Sequence, residues 1–271
     1  YILILVLVLI SSYFKLPVTW ANFSYVIGGL LTFILSMSYL AKMGIKPDFS
    51  LDKKIWKYLI LSALPIGIMF LFSQMSFKED ALMLSFLKLP KSYGLNNTES
   101  VAVYALPYKV FEVMLVVPTF FMNSVYPVLV GHMVEGEQKL KKTFARVMYF
   151  LTGSGLIIGL LGVVFSSLSM KILGGEEFVQ SVGVLNILSG GLFIFYLTSP
   201  ISWLIVTLGY QKYLPWIYFV SFSFNIIMNF IFIPKYSFYG ASWITVLSEF
   251  IVLILLIIFA RKSWRLKYAR S

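Results

Sequence analysis

The stretch Asn229–Glu249, NFIFIPKYSFYGASWITVLSE, closes one apolar run of the chain, turns within a few residues and opens another. The second run continues to Ala260, so Glu249 lies near its middle. Two long apolar runs joined by a short turn predict a helical hairpin in a membrane. A carboxyl group at the centre of a bilayer is costly, so we expect Glu249 to face other helices of the protein.

The whole chain has the composition of an integral membrane protein. Its 271 residues are 59% hydrophobic and only 12% charged, with a mean hydropathy of +0.88, whereas a soluble domain has about 25% charged residues. No run alternates with period two, so we predict an all-α, polytopic transmembrane helix bundle. The absence of cysteine excludes a Cys-based metal site, and the single His132 does not indicate a metal cluster. We therefore predict neither a metal nor a cofactor.

Eight apolar runs reach or approach the length of a membrane span, which is about 20 residues. They are Tyr1–Ile10, Val18–Leu40, Trp56–Met75, Val101–Val130, Val147–Met170, Phe178–Leu208, Tyr213–Ile233 and Tyr239–Ala260. The longest connection, from about Ser76 to Ser100, is expected to hold an extended helix end and then a polar turn. Because the first run is short and the chain opens inside it, we expect the sequence to be part of a longer protein.

The basic residues of the connections predict the orientation of the chain, because cytoplasmic loops are enriched in lysine and arginine. One alternate set of connections, with the C-terminal tail, holds fifteen basic residues, and the opposite set holds six. This split places the first set, and both ends of the chain, on the cytoplasmic side of the cell's inner membrane. The net charge of +11 follows from the same asymmetry, and we predict no nucleic-acid partner.

Charged and polar side chains also lie inside the Val101–Val130 run. Lys109 and Glu112 are three residues apart, so on a helix they are neighbours and can neutralise each other. Two interpretations stay open: an ion pair that joins helices, or part of the wall of a substrate cavity. The polar stripe of this run comprises Tyr108, Glu112, Thr119 and Asn123, and the prolines expected to kink it are Pro107, Pro118 and Pro127.

Other runs carry polar stripes of the same kind. Asn225 and Asn229 follow Tyr218 and Ser221 on one run, and Asn186 marks a face of another. Hydrogen bonding between helices is the favoured interpretation for such amides and hydroxyls, and lining of a substrate cavity is the alternative. Ser242, Thr245 and Glu249 form a stripe that we expect to face the run of Asn225 and Asn229.

Two acids are candidates for ion coupling or for a structural hydrogen bond. Glu249 lies inside the last apolar run, and Asp80 is one of the few acids in the connections predicted to lie outside. For Glu249 the structural interpretation is favoured, because many membrane acids only pair helices.

Three segments together resemble the polysaccharide flippases of bacteria. They are VAVYALPYKVFEVMLVVPTFFMNSVYPVL at Val101–Leu129, FKEDALMLSF just before it, and NIIMNFIFIPKYSFYGASWITVLSE ending at Glu249. The chain is similar over nearly its whole length to the O-antigen and teichoic-acid export group of the multidrug/oligosaccharidyl-lipid/polysaccharide exporter superfamily. Members of that group usually have twelve or more helices in two lobes.

The resemblance implies a two-lobe exporter fold in which the first lobe is incomplete. Residues 1–42 would then be the last two helices of the N-terminal lobe, and 43–55 a cytoplasmic connection between lobes. Residues 56–262 would form a six-helix C-terminal lobe, followed by a basic cytoplasmic tail at 263–271.

The function implied is a transporter rather than an enzyme. It would flip an oligosaccharide on a polyprenyl pyrophosphate carrier to the outer leaflet, for the synthesis of cell-surface polysaccharide, beside other polysaccharide assembly proteins. The pyrophosphate would need a cation, and Lys109 is the one that the apolar runs offer. The alternatives are a multidrug or organic-cation antiporter of the same fold and a membrane-embedded oligosaccharide polymerase or ligase. A polymerase or ligase needs acid, base or arginine groups in a large outer loop, and the short predicted loops do not provide them.

Overall fold

The computed structural model describes residues 2–44 and 52–268. These residues form helices joined by short turns, with no strand among them, and the predicted all-α class is confirmed. The chain divides into two compact units, residues 1–57 and residues 58–271.

Parts of the predicted connection and of the predicted tail lie outside the described residues. They are 45–51, within the connection predicted at 43–55, and 269–271, at the end of the tail. Two of the basic residues that carry the predicted orientation, Lys46 and Arg270, are among them.

The first unit is a pair of apolar helices, α1 (Ile2–Tyr13) and α2 (Val18–Lys42). Gly28 allows close packing in this pair, because a Cβ atom at that position would come within 2.5 Å of the Ile4 side chain. The predicted runs Tyr1–Ile10 and Val18–Leu40 therefore correspond to real helices, each extended by two or three residues at its end.

The second unit contains seven α-helices, most of them long and apolar. They are α3 (Lys53–Phe86, which begins just before the unit), α4 (Asn97–Met114), α5 (Val116–Glu135), α6 (Glu137–Val164), α7 (Ser166–Gly174), α8 (Ser181–Thr207) and α9 (Leu214–Tyr268). Helix α8 is buried along most of its length. The others are apolar on exposed faces as well, as expected for helices that contact lipid.

Six helical segments of the described chain are long and apolar enough to cross a membrane. They are Asn22–Lys42, Lys53–Phe86, Asn97–Glu135, Glu137–Val164, Ser181–Thr207 and Gln211–Tyr268. The last of these is far longer than the ~20 residues that span hydrocarbon, and it holds a reversal of the chain near its middle.

The reversal lies in the stretch Asn229–Glu249, at Ser237, whose φ of 49° and ψ of −135° are not helical. Residues 214–236 and 238–268 are the two limbs of α9, and they run antiparallel. The hydroxyl of Ser221 on the first limb donates to the carbonyl of Ser248 on the second at 2.9 Å. The helical hairpin predicted from the sequence is therefore present, and each limb is long enough to cross a membrane.

Helix α3 extends beyond the predicted run, which ends at Met75. It continues to Phe86, where the Asn97 side chain donates to the carbonyl groups of Leu84 and Leu87 at 2.7 and 2.8 Å. These carbonyl groups belong to the last turn, which has no intrahelical donors of its own. The extended helix end predicted after Ser76 is confirmed. Asp80, predicted in an outer connection, instead lies inside a helix and is buried, because this end of α3 packs against other helices.

The predicted run Val101–Val130 is two helices with a break at Leu115. Pro118 has no amide hydrogen to donate to the carbonyl of Met114, four residues earlier. The hydroxyl of Tyr196 on α8 donates to that carbonyl at 2.6 Å. The proline therefore ends one helix and begins the next, and a side chain from α8 satisfies the polar group that it releases.

Small residues on α6 allow its close contact with α8. A Cβ atom at Gly155 would lie 2.8 Å from the Cβ and Cγ atoms of Tyr196, and one at Gly159 would lie 2.7 Å from the carbonyl oxygen of Ser189. Helices in membranes associate through such close van der Waals packing. Gly153 lies on the same helix, but a Cβ there would meet no atom within 4 Å.

We predict that Gly155→Ala destabilises the protein by about 1–3 kcal/mol, because the added methyl group overpacks the contact with Tyr196. Gly153→Ala is the matched control, and it should leave stability unchanged or raise it slightly. Thermal unfolding of both variants in detergent is the measurement. Equal unfolding temperatures for the two variants would contradict the described packing of α6 on α8.

Candidate functional site

Asp80 is the centre of a buried polar cluster in the second unit. The cluster comprises Asp80, Tyr104, Asn225, Asn229 and Thr245, and we call it the Asp80 cluster. Its members come from α3, α4 and both limbs of α9, and the side chain of Asp80 has no exposed surface. Residues separated by up to 165 positions therefore meet around one carboxyl group.

Three side chains donate hydrogen bonds to Asp80. The Tyr104 hydroxyl and the Thr245 hydroxyl reach Oδ2 at 2.5 and 2.6 Å. The Nδ2 atom of Asn229 reaches Oδ1 at 2.5 Å. Burial of a carboxylate is tolerated only where it is well paired or hydrogen-bonded, and this set of donors supplies that condition inside an apolar bundle.

A second carboxyl group, Glu79, lies beside Asp80 and is also buried. The Oδ1 atom of Asn225 accepts a hydrogen bond from Nδ2 of Asn229, and with the amide of Asn225 turned round its nitrogen would lie 2.8 Å from Oε1 of Glu79. Within the described chain, neither carboxyl group forms an ion pair with a basic side chain. Two adjacent buried acids without a basic partner are suited to binding a proton or another small cation, which would remove their negative charge.

A larger cavity, lined by both polar and apolar side chains, lies among α3, α5, α8 and α9, and we call it the central cavity. Its volume is about 400 Å³. The polar residues that line it are Ser73, Gln74, Thr119, Asn123, Thr198, Ser199, Ser202, Tyr218 and Glu249. The described residues that line it include aromatic side chains, among them Phe70, Phe195 and Trp203, but no basic residue.

Glu249 is the only acid among the residues that line the central cavity in the described chain. The hydroxyl of Thr198 on α8 donates to its Oε1 atom. The stripe that contains Glu249 was predicted to face the run of Asn225 and Asn229. The hydrogen bond of Glu249 is instead formed with Thr198 on α8. Thr245 of the same stripe does meet that run, since it shares Asp80 with Asn229.

A small second cavity, of about 30 Å³, lies between Glu249 and the Asp80 cluster. Glu249 and Tyr218 line both cavities, and Asn225 and Thr245 of the Asp80 cluster line the small one. A space of this volume is large enough for a water molecule. The small cavity therefore lies between Glu249 and Thr245, whose hydroxyl donates to Asp80.

The predicted contact between Lys109 and Glu112 is present. Neither residue is among those that line the two cavities. The Lys109 Nζ atom lies 2.5 Å from one carboxylate oxygen of Glu112, and the Nζ atom of Lys78 lies 3.5 Å from the other. Both lysine side chains are 66% exposed. The three residues form an exposed group with one excess positive charge, which we call the Lys78–Lys109 group.

The other residues proposed from the sequence lie in different surroundings. Asn123 lines the central cavity, whereas Asn186 lies on α8 away from the residues that line it. Tyr108 is buried and stacks on Tyr104, with ring centroids 5.4 Å apart. His132 lies near Thr143, with Nδ1 2.7 Å from the hydroxyl. No group of three or more His, Cys, Asp or Glu side chains is placed to hold a metal ion within the described residues.

Several members of the site were not found from the sequence. Tyr104, Thr198 and Gln74 are polar residues in apolar surroundings, and their spacing carries no sign of their partners. Tyr104 is 24 residues from Asp80, and Thr198 is 51 residues from Glu249. The only feature that marks these residues in the sequence is a hydroxyl or amide side chain within an apolar run. Such side chains are too common in membrane helices to identify a site residue.

Comparisons with protein-family models, curated proteins and solved structures found no match to this chain. The resemblance to polysaccharide flippases therefore rests on the three sequence segments at Phe77–Phe86, Val101–Leu129 and Asn225–Glu249 alone.

We predict that Asp80→Ala strongly destabilises the protein, by about 2 kcal/mol or more, because three buried donors lose their acceptor. Asp80→Asn should have a smaller effect, since its amide keeps one acceptor oxygen. Glu177→Gln, an exposed position, is the control. Thermal unfolding and the yield of folded protein measure the effect, and an Asp80→Ala variant as stable as the control would contradict the described cluster.

Proposed function

We propose that the chain belongs to a transporter that flips a lipid-linked oligosaccharide from the cytoplasmic leaflet to the outer leaflet of the cell's inner membrane. The observation that carries this proposal is the central cavity, a space of about 400 Å³ within apolar helices whose walls include amide, hydroxyl and carboxyl groups. A sugar head group cannot cross hydrocarbon unaided, because its hydroxyl groups would lose their hydrogen bonds. A polar cavity within the bundle replaces those bonds during passage.

The lining of the central cavity suits an uncharged sugar. Amide and hydroxyl groups such as those of Asn123, Thr119 and Ser202 can both donate to and accept from sugar hydroxyls. The aromatic faces of Trp203 and Tyr218 provide apolar surface for the C–H side of a sugar ring. A few polar groups among apolar walls are typical of small-molecule sites.

The Lys78–Lys109 group is the proposed contact for the pyrophosphate of the carrier. Lys78 lies one helical turn beyond Gln74, a residue of the central cavity, on α3. Glu112 likewise lies one turn before Leu115, which also lines the cavity. An ammonium group is a good partner for phosphate, and two of them flank Glu112 here. The sugar would occupy the cavity while the phosphates stay at this exposed group.

The buried acids provide a means of coupling transport to an ion gradient. Glu249 lies between the central cavity and the small cavity, and the Asp80 cluster lies at the far side of the latter. Binding and release of a proton at these carboxyl groups would change the charge beside the substrate. Transporters of this general kind alternate access by rocking of helix bundles around a fixed site.

A multidrug or organic-cation antiporter is the second candidate function, and one observation favours it. The central cavity contains the carboxyl group of Glu249 and several aromatic rings, but no basic residue among those described. Such a lining attracts a cationic, partly apolar compound. This function makes no use of the Lys78–Lys109 group, so the two candidates differ in their dependence on those lysines.

The proposed orientation predicts the labelling of single cysteines, which can be introduced freely because the chain has none. Ser92→Cys, exposed in the turn between α3 and α4, should react with an impermeant thiol reagent in intact cells. Gln138→Cys, exposed at the start of α6, should react only after the membrane is permeabilised. Reaction of Gln138→Cys in intact cells, with Ser92→Cys protected, would reverse the orientation.

We predict that Glu249→Gln reaches the membrane in normal amount and loses most of its transport, by about tenfold or more. Glutamine keeps a hydrogen bond to Thr198 but cannot exchange a proton with the cavity. The measurement combines membrane abundance with flipping of a fluorescent lipid-linked oligosaccharide in liposomes. If flipping by Glu249→Gln equals that of the unchanged protein, Glu249 has only the structural role of joining α9 to α8.

The same liposomes separate the two candidate functions. Replacement of both Lys78 and Lys109 by alanine should abolish oligosaccharide flipping if the substrate carries pyrophosphate. The control is Lys88→Ala, an exposed lysine beyond the end of α3. An organic-cation antiporter would instead transport a fluorescent cation equally well with and without the two lysines, and would not flip the oligosaccharide.

A further inference from the structure

A third cavity, which shares no lining residue with the central cavity, is an open groove beside α8. It lies among α6, α8 and the second limb of α9 and has a volume of about 300 Å³. Its floor is apolar and includes Phe144, Met148, Leu204 and Ile257. We call it the basic groove, because two basic side chains line its rim.

The rim residues are Lys141 on α6 and Arg261 on α9. Both are exposed, and neither forms an ion pair within 4 Å in the part of the chain that the structure describes. The nearby acid Glu137 accepts a hydrogen bond from the indole of Trp264 at 2.7 Å. The two cations are therefore available to an anion from outside the protein.

The groove lies at a boundary between polar and apolar chain. Lys141 is in the second turn of α6, whose later residues are strongly apolar, and Arg261 follows the apolar part of the second limb. Trp264 also lines the groove, and tryptophan is enriched at the level of lipid head groups. The groove thus has a pair of cations at the level of lipid head groups and an apolar floor beside them. These two features fit a molecule that has an anionic head and a hydrocarbon tail.

We propose that the basic groove binds an anionic phospholipid. The phosphate contacts Lys141 and Arg261, and one acyl chain lies along the apolar floor. The guanidinium group can make two parallel hydrogen bonds to a phosphate, and basic pockets between membrane helices bind anionic head groups in this way. The bound lipid would fill the space between α6, α8 and α9 and so hold these three helices together.

The test is lipid retention by the purified protein in detergent, measured by native mass spectrometry. The probes are phosphatidylglycerol and phosphatidylcholine with the same acyl chains. The unchanged protein should retain phosphatidylglycerol at least tenfold more tightly. The double variant K141Q/R261Q should lose that preference, whereas K142Q/R265Q, which removes equal charge from neighbouring exposed positions, should keep it.

Four outcomes would overturn the proposal. An equal loss in both double variants would show that the attraction is a general effect of surface charge. Equal retention of the two phospholipids by the unchanged protein would exclude recognition of the anionic head, and this measurement needs no variant to fold. Full competition by glycerol phosphate would show a site for phosphate alone. Retention of a polyprenyl phosphate that phosphatidylglycerol cannot displace would assign the groove to the carrier lipid.

Discussion

The second unit is organised around the burial of one carboxyl group in an apolar bundle. Asp80 has no basic partner within ion-pair distance among the described residues, so its hydrogen bonds to Tyr104, Asn229 and Thr245 must compensate for the loss of water. These donors come from α4 and from both limbs of α9. The need of Asp80 for these donors therefore constrains the positions of α4 and of both limbs of α9 relative to α3. The contacts of their apolar surfaces constrain them as well.

The same reasoning explains the other polar contacts within the bundle. Pro118 releases the carbonyl of Met114, and Tyr196 satisfies it. Thr198 donates to Glu249, and the end of α3 is satisfied by Asn97. In a medium without water, each such group needs a partner inside the protein or at a hydrated cavity. Polar groups such as those of Thr119, Asn123 and Ser199 line the central cavity, and for this reason the proposed substrate site lies there.

The sequence predicted the helical class and the final hairpin because both depend on long apolar runs and short turns, which are local features. It also predicted the contact of Lys109 with Glu112, since a spacing of three fixes neighbours on a helix. It placed Asp80 in a connection because charge near the end of a run usually indicates water. Asp80 is buried against Asn229 and Thr245, which lie 149 and 165 residues later in the chain, and no local pattern contains that information. Thr198 was missed as the partner of Glu249 for the same reason.

The order of these residues along the chain has a consequence for biogenesis. A membrane protein is synthesised from its N-terminus, so α3 and its Asp80 are made well before the hairpin of α9. During that interval Tyr104 is the only one of the three donors to Asp80 that has been made. The carboxyl group gains its full set of partners only when the hairpin that turns at Ser237 joins the bundle. Insertion of that hairpin is therefore the step that completes the set of donors to Asp80, and a chain arrested before it would carry an incompletely paired acid in the membrane.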